Sequence, residues 1–157
     1  MYVVDTSSLI RLGRDYPPDV FSSLWDLIEQ LIVNGLLVAP REVFREPAKG
    51  DDELLKWAKA NGKLFVEIDE KQTNILKQIL DRFPSINDTI KLGPHADPWL
   101  VALGVVCQAN DAKLECCVVT EEREKGPGST SVPNVCKEFG LRAVNLLEFF
   151  RLEKVKF

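Results

Sequence analysis

Leu114-Glu115-Cys116-Cys117-Val118-Val119-Thr120 is the stretch that decides the fold. It is a short, nearly continuous apolar run with β-branched residues at its end. Such a run predicts a strand covered on both faces, as at the centre of a parallel sheet. Parallel strands need long crossover connections, usually helices. The flanking sequence supplies them. Asp97 to Gln108, just before the run, is apolar almost all round and predicts a buried helix. After it, Val132 to Phe139 reads as a short helix, Leu141 to Val144 as a short last strand, and Asn145 to Leu152 as a closing helix.

The N-terminal half repeats the alternation. Tyr2 to Asp5 is a short buried strand, and Ser7 to Leu12 forms one or two turns before Asp15-Tyr16-Pro17-Pro18 breaks them. From Val20 to Val33, Leu24, Leu27, Ile28, Leu31 and Ile32 recur at helical spacing, and Asn34-Gly35 stops the helix. Leu36 to Val38 is a second strand. Pro40 starts a helix that Pro47 and Gly50 end, and Asp51-Asp52 cap the next one. Lys63 to Asp69 places Leu64, Val66 and Ile68 on one face, the pattern of a half-buried or edge strand. Ile75, Leu76, Ile79, Leu80 and Phe83 form a helical stripe that Pro84 stops. The alternation predicts one domain, 1–157, with a three-layer α/β/α architecture and a mostly parallel central sheet of four to five strands.

At 157 residues, with 45% hydrophobic and 28% charged residues, the chain has the composition of a soluble globular domain. No apolar run approaches the roughly 20 residues of a membrane helix, and no secretory signal is visible, so a cytoplasmic protein without a membrane partner is expected. The net charge of -4 argues against a protein that coats nucleic acid, though not against a nuclease whose acids bind metal. Any grip on a polyanion then falls to local bases, Arg11, Arg41, Arg45, Arg123 and Lys125 among them. The four cysteines lack zinc-type spacing and read as buried, reduced thiols, with Cys116 and Cys117 on opposite faces of their strand.

Asp5, Glu46, Asp97 and Glu122 each fall where a predicted strand or helix begins or ends. In a parallel sheet these ends converge on one edge, where open α/β folds bind ligands. Crowded carboxylates repel one another, and a hard divalent cation is the agent best suited to offset them. Each acid also has a purely structural reading. Asp5-Thr6-Ser7 is good N-cap material, Asp97 precedes the favoured first-turn proline Pro98, Glu46 suits a solvated helix, and Glu122 sits in a charge run.

Val4-Asp5-Thr6-Ser7, an acid on the helix after the second strand, Ala96-Asp97-Pro98-Trp99-Leu100-Val101-Ala102-Leu103, and Val118-Val119-Thr120-Glu121-Glu122 resemble, in that order, the motifs of PIN domains. The likeness spans nearly the whole chain. Val132-Pro133-Asn134-Val135-Cys136 resembles the ending of a less characterised PIN-like branch. The resemblance implies a magnesium- or manganese-dependent endoribonuclease, in the manner of the VapC-type toxins of toxin–antitoxin pairs. It implies Asp5, Glu46, Asp97 and Glu122 as catalytic metal ligands, with Thr6, Ser7 and Thr120 as polar support. Glu42 is the alternative to Glu46, because the two lie four residues apart and share a helix face. The expected partners are an RNA substrate, a small antitoxin protein and a second copy in a homodimer. His95 is read as a loop residue or a phosphate contact.

Two other functions fit the same residues. A non-catalytic PIN-like binding module would use the acids as caps. An Asp-nucleophile phosphatase would use Asp5, but such enzymes commonly carry a second Asp two positions on, where this chain has Ser7.

Overall fold

The computed structural model describes residues 1–41, 43, 52–84, 97–110 and 115–156. Five strands, β1 (Tyr2–Val4), β2 (Leu37–Pro40), β3 (Phe65–Val66), β4 (Cys117–Val119) and β5 (Arg142–Val144), form one sheet of order β3-β2-β1-β4-β5. Every pairing is parallel, with Tyr2 opposite both Leu37 and Cys117, and Val119 opposite Val144. The expected mostly parallel sheet is therefore parallel throughout.

The helices described are α1 (Thr6–Asp15), α2 (Ser22–Val33), α3 (Asp52–Ala60), α4 (Glu70–Arg82), α5 (Asp97–Asn110), α6 (Val132–Glu138) and α7 (Leu146–Leu152). Strand pleating sends alternate residues to opposite sides, and two cores follow from it. Val4, Ala39, Cys117 and Val119 meet α1, α2, α3 and α7 on one side. Val3, Val38, Cys116 and Val118 meet α4, α5 and α6 on the other. This is the expected three-layer arrangement. The adjacent cysteines do face opposite ways, and Cys107, Cys116, Cys117 and Cys136 are all free thiols. Among the described residues no helix is long and apolar enough to cross a membrane.

Several boundaries differ from the sequence reading for local reasons. The turns expected at Ser7 to Leu12 are a ten-residue helix, because Asp5 caps it and Leu9 and Leu12 bury one face. Tyr16 caps its other end through an amide bond to the Leu12 carbonyl, 3.0 Å. The strand expected over Lys63 to Asp69 shrinks to Phe65–Val66. Gly62–Leu64 is a single 3-10 turn, and Asp69 is drawn off to cap α4 by accepting the Gln72 amide at 2.7 Å. The edge position expected for this strand is correct. β4 is second from the sheet edge, and the central place belongs to β1. Pro40 closes β2, with Arg41 and Val43 already helical; the rest of the helix expected there lies outside the described residues.

Gly104 sets the distance between α5 and the sheet. A Cβ added there would lie 2.8 Å from Leu141 Cδ1 and 3.2 Å from Val118 Cγ2. Replacing it with a branched side chain overpacks this contact. Gly104→Val is expected to lower the unfolding free energy by about 1–3 kcal/mol in urea titration. An unchanged midpoint would show that the helix can lift away freely.

Candidate functional site

The chain runs from β1 outward to β2 and β3, then returns to the far side of β1 to lay down β4 and β5. The reversal lies between β1 and β4, and such a switch point leaves a crevice at the C-terminal strand ends. Asp5 and Thr120, the residues that follow β1 and β4, meet there. Thr120 Oγ1 donates to Asp5 Oδ2 at 2.5 Å. Ser7 Oγ donates to the same oxygen at 2.8 Å, and the Ser8 amide donates to Oδ1 at 2.6 Å. The Asp5 amide itself donates to the Val119 carbonyl at 3.1 Å, and the Thr120 amide to Val144 at 2.9 Å. The ladder therefore locks both residues in place.

Asp5 is only 5% exposed and Thr120 1%. Burial raises the Asp5 pKa above its ordinary value of 3.8, and the bonds from Thr120, Ser8 and Ser7 pull it back only in part. Among the described residues its hydrogen-bond donors are all neutral and no basic side chain pairs with it. The carboxylate is thus held dry and, among the described residues, without a counter-charge.

Glu122 is tied to the same cluster through its backbone, whose amide donates to Thr120 Oγ1 at 3.2 Å. Its carboxylate turns to the start of α6, where Oε2 accepts the Val132 amide at 2.9 Å. Glu122 is exposed, unlike Asp5. Asp97 is the first residue of α5 and half-buried. The far end of α5 is fixed at the opposite sheet edge by Gln108, whose Oε1 accepts the Cys116 amide ahead of β4 at 2.8 Å. Asp97 therefore lies at the end of α5 away from that anchor. Thr6 is the first residue of α1. Glu46, its alternative Glu42, His95 and Arg45 lie outside the described residues.

Sequence reasoning did not single out Ser8, Glu121 or Asn134. Ser8 occupies the third helical position, where a capping Asp finds its amide, and that spacing was available to be read. Glu121 pairs with Arg11 and accepts the Leu146 amide at the start of α7 at 2.9 Å. Asn134 staples the loop that follows, accepting from the Lys125 amide at 2.9 Å and from Ser131 Oγ at 2.5 Å. The Glu121 partners lie 25 and 110 residues away and leave no local signature, whereas Asn134 is nine residues from Lys125 and only three from Ser131. Of the local bases, Arg11 is held by Glu121 and Asp15 and Arg41 by Glu67, while Arg123 and Lys125 are exposed beside the cluster.

The chain belongs to the family described as "Domain of unknown function (DUF4411)". The match covers residues 2–157, nearly the whole of the domain just described. No curated protein and no solved structure matches the chain. The chemistry of this DUF4411 domain therefore has to be argued from its own residues.

Among the described residues no group of three or more His, Cys, Asp or Glu side chains is placed to hold a metal ion. The donor set at the switch point is nevertheless all oxygen, the kind that suits magnesium or manganese. A carboxylate offers about four lone-pair sites. Among the described residues Asp5 accepts two hydrogen bonds on Oδ2 and one on Oδ1, and the Ser8 side chain also acts on it. Asp5 therefore fits a one-point contact to a cation that retains several waters. A separate apolar cleft of about 730 Å³, lined by Pro17, Trp25, Leu54 and Trp57, includes none of the candidate acids.

Two outcomes follow for the Asp5–Thr120 pair. Thr120→Val keeps the shape but removes the donor, and should cost about 1.5–3 kcal/mol of stability, whereas Thr120→Ser should restore most of it. The raised Asp5 pKa means that the folded state holds this proton more tightly than the unfolded chain does. Ionising Asp5 therefore subtracts stability as pH rises from the ordinary Asp range through the raised value. Unfolding free energies measured across that window should shift in favour of Asp5→Asn over the wild type as pH rises. A pH-independent difference would contradict the assignment.

Proposed function

We propose that this domain is a metal-dependent nuclease, an endoribonuclease of the PIN type, that uses magnesium or manganese at the edge built by Asp5, Thr120 and Glu122. One observation carries the reading. Asp5 is a buried carboxylate at the topological switch point, satisfied by neutral donors and lacking a positive partner among the described residues. A cation binding there would offset the cost of keeping that charge dry.

Asp5 would make the direct contact through Oδ1. Thr120 and Ser7 hold its other oxygen, so the carboxylate cannot swing away. Asp97, Glu122, and Glu46 or Glu42 would complete the oxygen set. Magnesium is commonly held by only one or two carboxylates, with waters and substrate phosphates filling the remainder, so a sparse set is adequate. When bound, the ion would acidify a water and neutralise charge on the phosphoryl oxygens. The exposed Arg123 and Lys125 beside Glu122 would take the neighbouring phosphates. The likeness to PIN domains favours RNA as substrate, and a toxin role with a small antitoxin partner, a homodimer and a cytoplasmic setting all rest on that likeness alone.

A non-catalytic binding module is the second reading. The observation that favours it is that Asp5 and Glu122 each accept a backbone amide at a helix start, as structural caps do. Capping and coordination make different demands, because Asn caps about as well as Asp but brings no charge. Thermal unfolding with and without millimolar magnesium or manganese separates the readings. The nuclease reading expects stabilisation of about 1–3 kcal/mol at an ion excess of about 10–100 times the dissociation constant. Asp5→Asn should fold, melt identically with and without the ion, and fail to cleave single-stranded RNA. Full metal-dependent cleavage by Asp5→Asn would overturn the proposal.

A further inference from the structure

At the sheet edge opposite Asp5, the end of α5 is fastened to the residue that leads into β4. Gln108 Oε1 accepts the Cys116 amide at 2.8 Å, and this bond sets residue 107 beside residue 116. Cys107 and Cys116 belong to the same apolar core. The two thiols perturb each other's ionisation, as only close neighbours do. Cys116 is 1% exposed, whereas Cys107 is half-buried and so reachable from solvent. The other cysteines do not share this arrangement. Cys117 faces the opposite core, and Cys136 sits on α6 with no thiol among the groups acting on it.

We propose that Cys107 and Cys116 form a redox-modification site, which a hydroperoxide converts into an intramolecular disulfide. The division of labour follows from their surroundings. The interaction with Cys116 favours the Cys107 thiolate and lowers its pKa, and the same interaction, followed by burial, pushes Cys116 up. Thiolate character and exposure together select the sulfur that meets an oxidant first.

The Cys107 thiolate attacks hydrogen peroxide, forming an S–O bond, breaking the O–O bond and releasing hydroxide, which takes up a proton from solvent to become water. Cys116 then attacks the resulting sulfenic acid, the S–S bond forms, and the Cys107 hydroxyl leaves as water with the Cys116 proton. Two thiols are oxidised by two electrons in total and one peroxide is reduced to water. Cys116 is thus the resolving thiol already in place. The site is independent of the nuclease reading.

The test treats the folded, full-length protein with stoichiometric hydrogen peroxide, quenches it, and alkylates the remaining thiols under denaturing conditions. Peptide mapping without reductant should recover residues 107 and 116 as one cross-linked pair, with Cys117 and Cys136 alkylated. Dithiothreitol should return all four thiols. In Cys107→Ala the same treatment should give no intramolecular disulfide. The proposal is overturned if the wild type gives no cross-link, if Cys107 ends as sulfinic acid without one, or if Cys116 joins Cys117 or Cys136 instead.

Discussion

A carboxylate buried between two parallel strands is the constraint on which the rest of the site depends. Asp5 follows β1, Thr120 follows β4, and the hydroxyl of Thr120 donates to the carboxylate of Asp5 across 2.5 Å. An ionised group taken out of water is costly, and here it is held by hydroxyls and one amide without an opposing charge among the described residues. Such an arrangement persists only if the surrounding fold is rigid enough to enforce it. The strand ladder and the cap on α1 provide that rigidity, since Asp5 both completes the sheet through its amide and starts the helix through its side chain. One residue therefore couples sheet register, helix start and the chemistry of the edge.

The acids after β4 divide the labour differently. Glu121 reaches one helix start and one arginine, and Glu122 reaches another helix start. Both lock the loop that leads away from the crevice, and Asn134 fastens its far side. The loop beside the site is thus built from charge and amide contacts rather than apolar packing, which leaves Arg123 and Lys125 at the surface. Local charge of this kind, and not the overall balance of -4, is what would meet a phosphate backbone.

Much of this was legible from the sequence. The continuous apolar run ending in Val118-Val119 fixed a strand covered on both faces, and helical stripes between such runs fixed a parallel sheet with two helical layers. Ser7 was legible beside Asp5 from their spacing, but the contact of Asp5 with Thr120 was not, because nothing local in a chain tells residue 5 that it will meet residue 120. The short edge strand was overdrawn. Alternation at Leu64, Val66 and Ile68 looks the same whether Leu64 sits in a strand or, as here, in a 3-10 turn with its side chain in the core. The partners of Glu121 and Glu122 were illegible for a like reason, since they depend on where the last helices return to the sheet.

The central claim is that a divalent cation is drawn to the edge where Asp5 lies. Manganese broadening of backbone amide signals maps that most directly, because the paramagnetic ion bleaches its nearest neighbours first. With sub-stoichiometric manganese, the account predicts early loss of the Asp5, Ser7, Ser8, Thr120 and Glu122 signals, and no such loss in Asp5→Asn. Broadening centred on Glu115 and Glu153 at the opposite end of the sheet, or spread evenly over surface carboxylates, would contradict it.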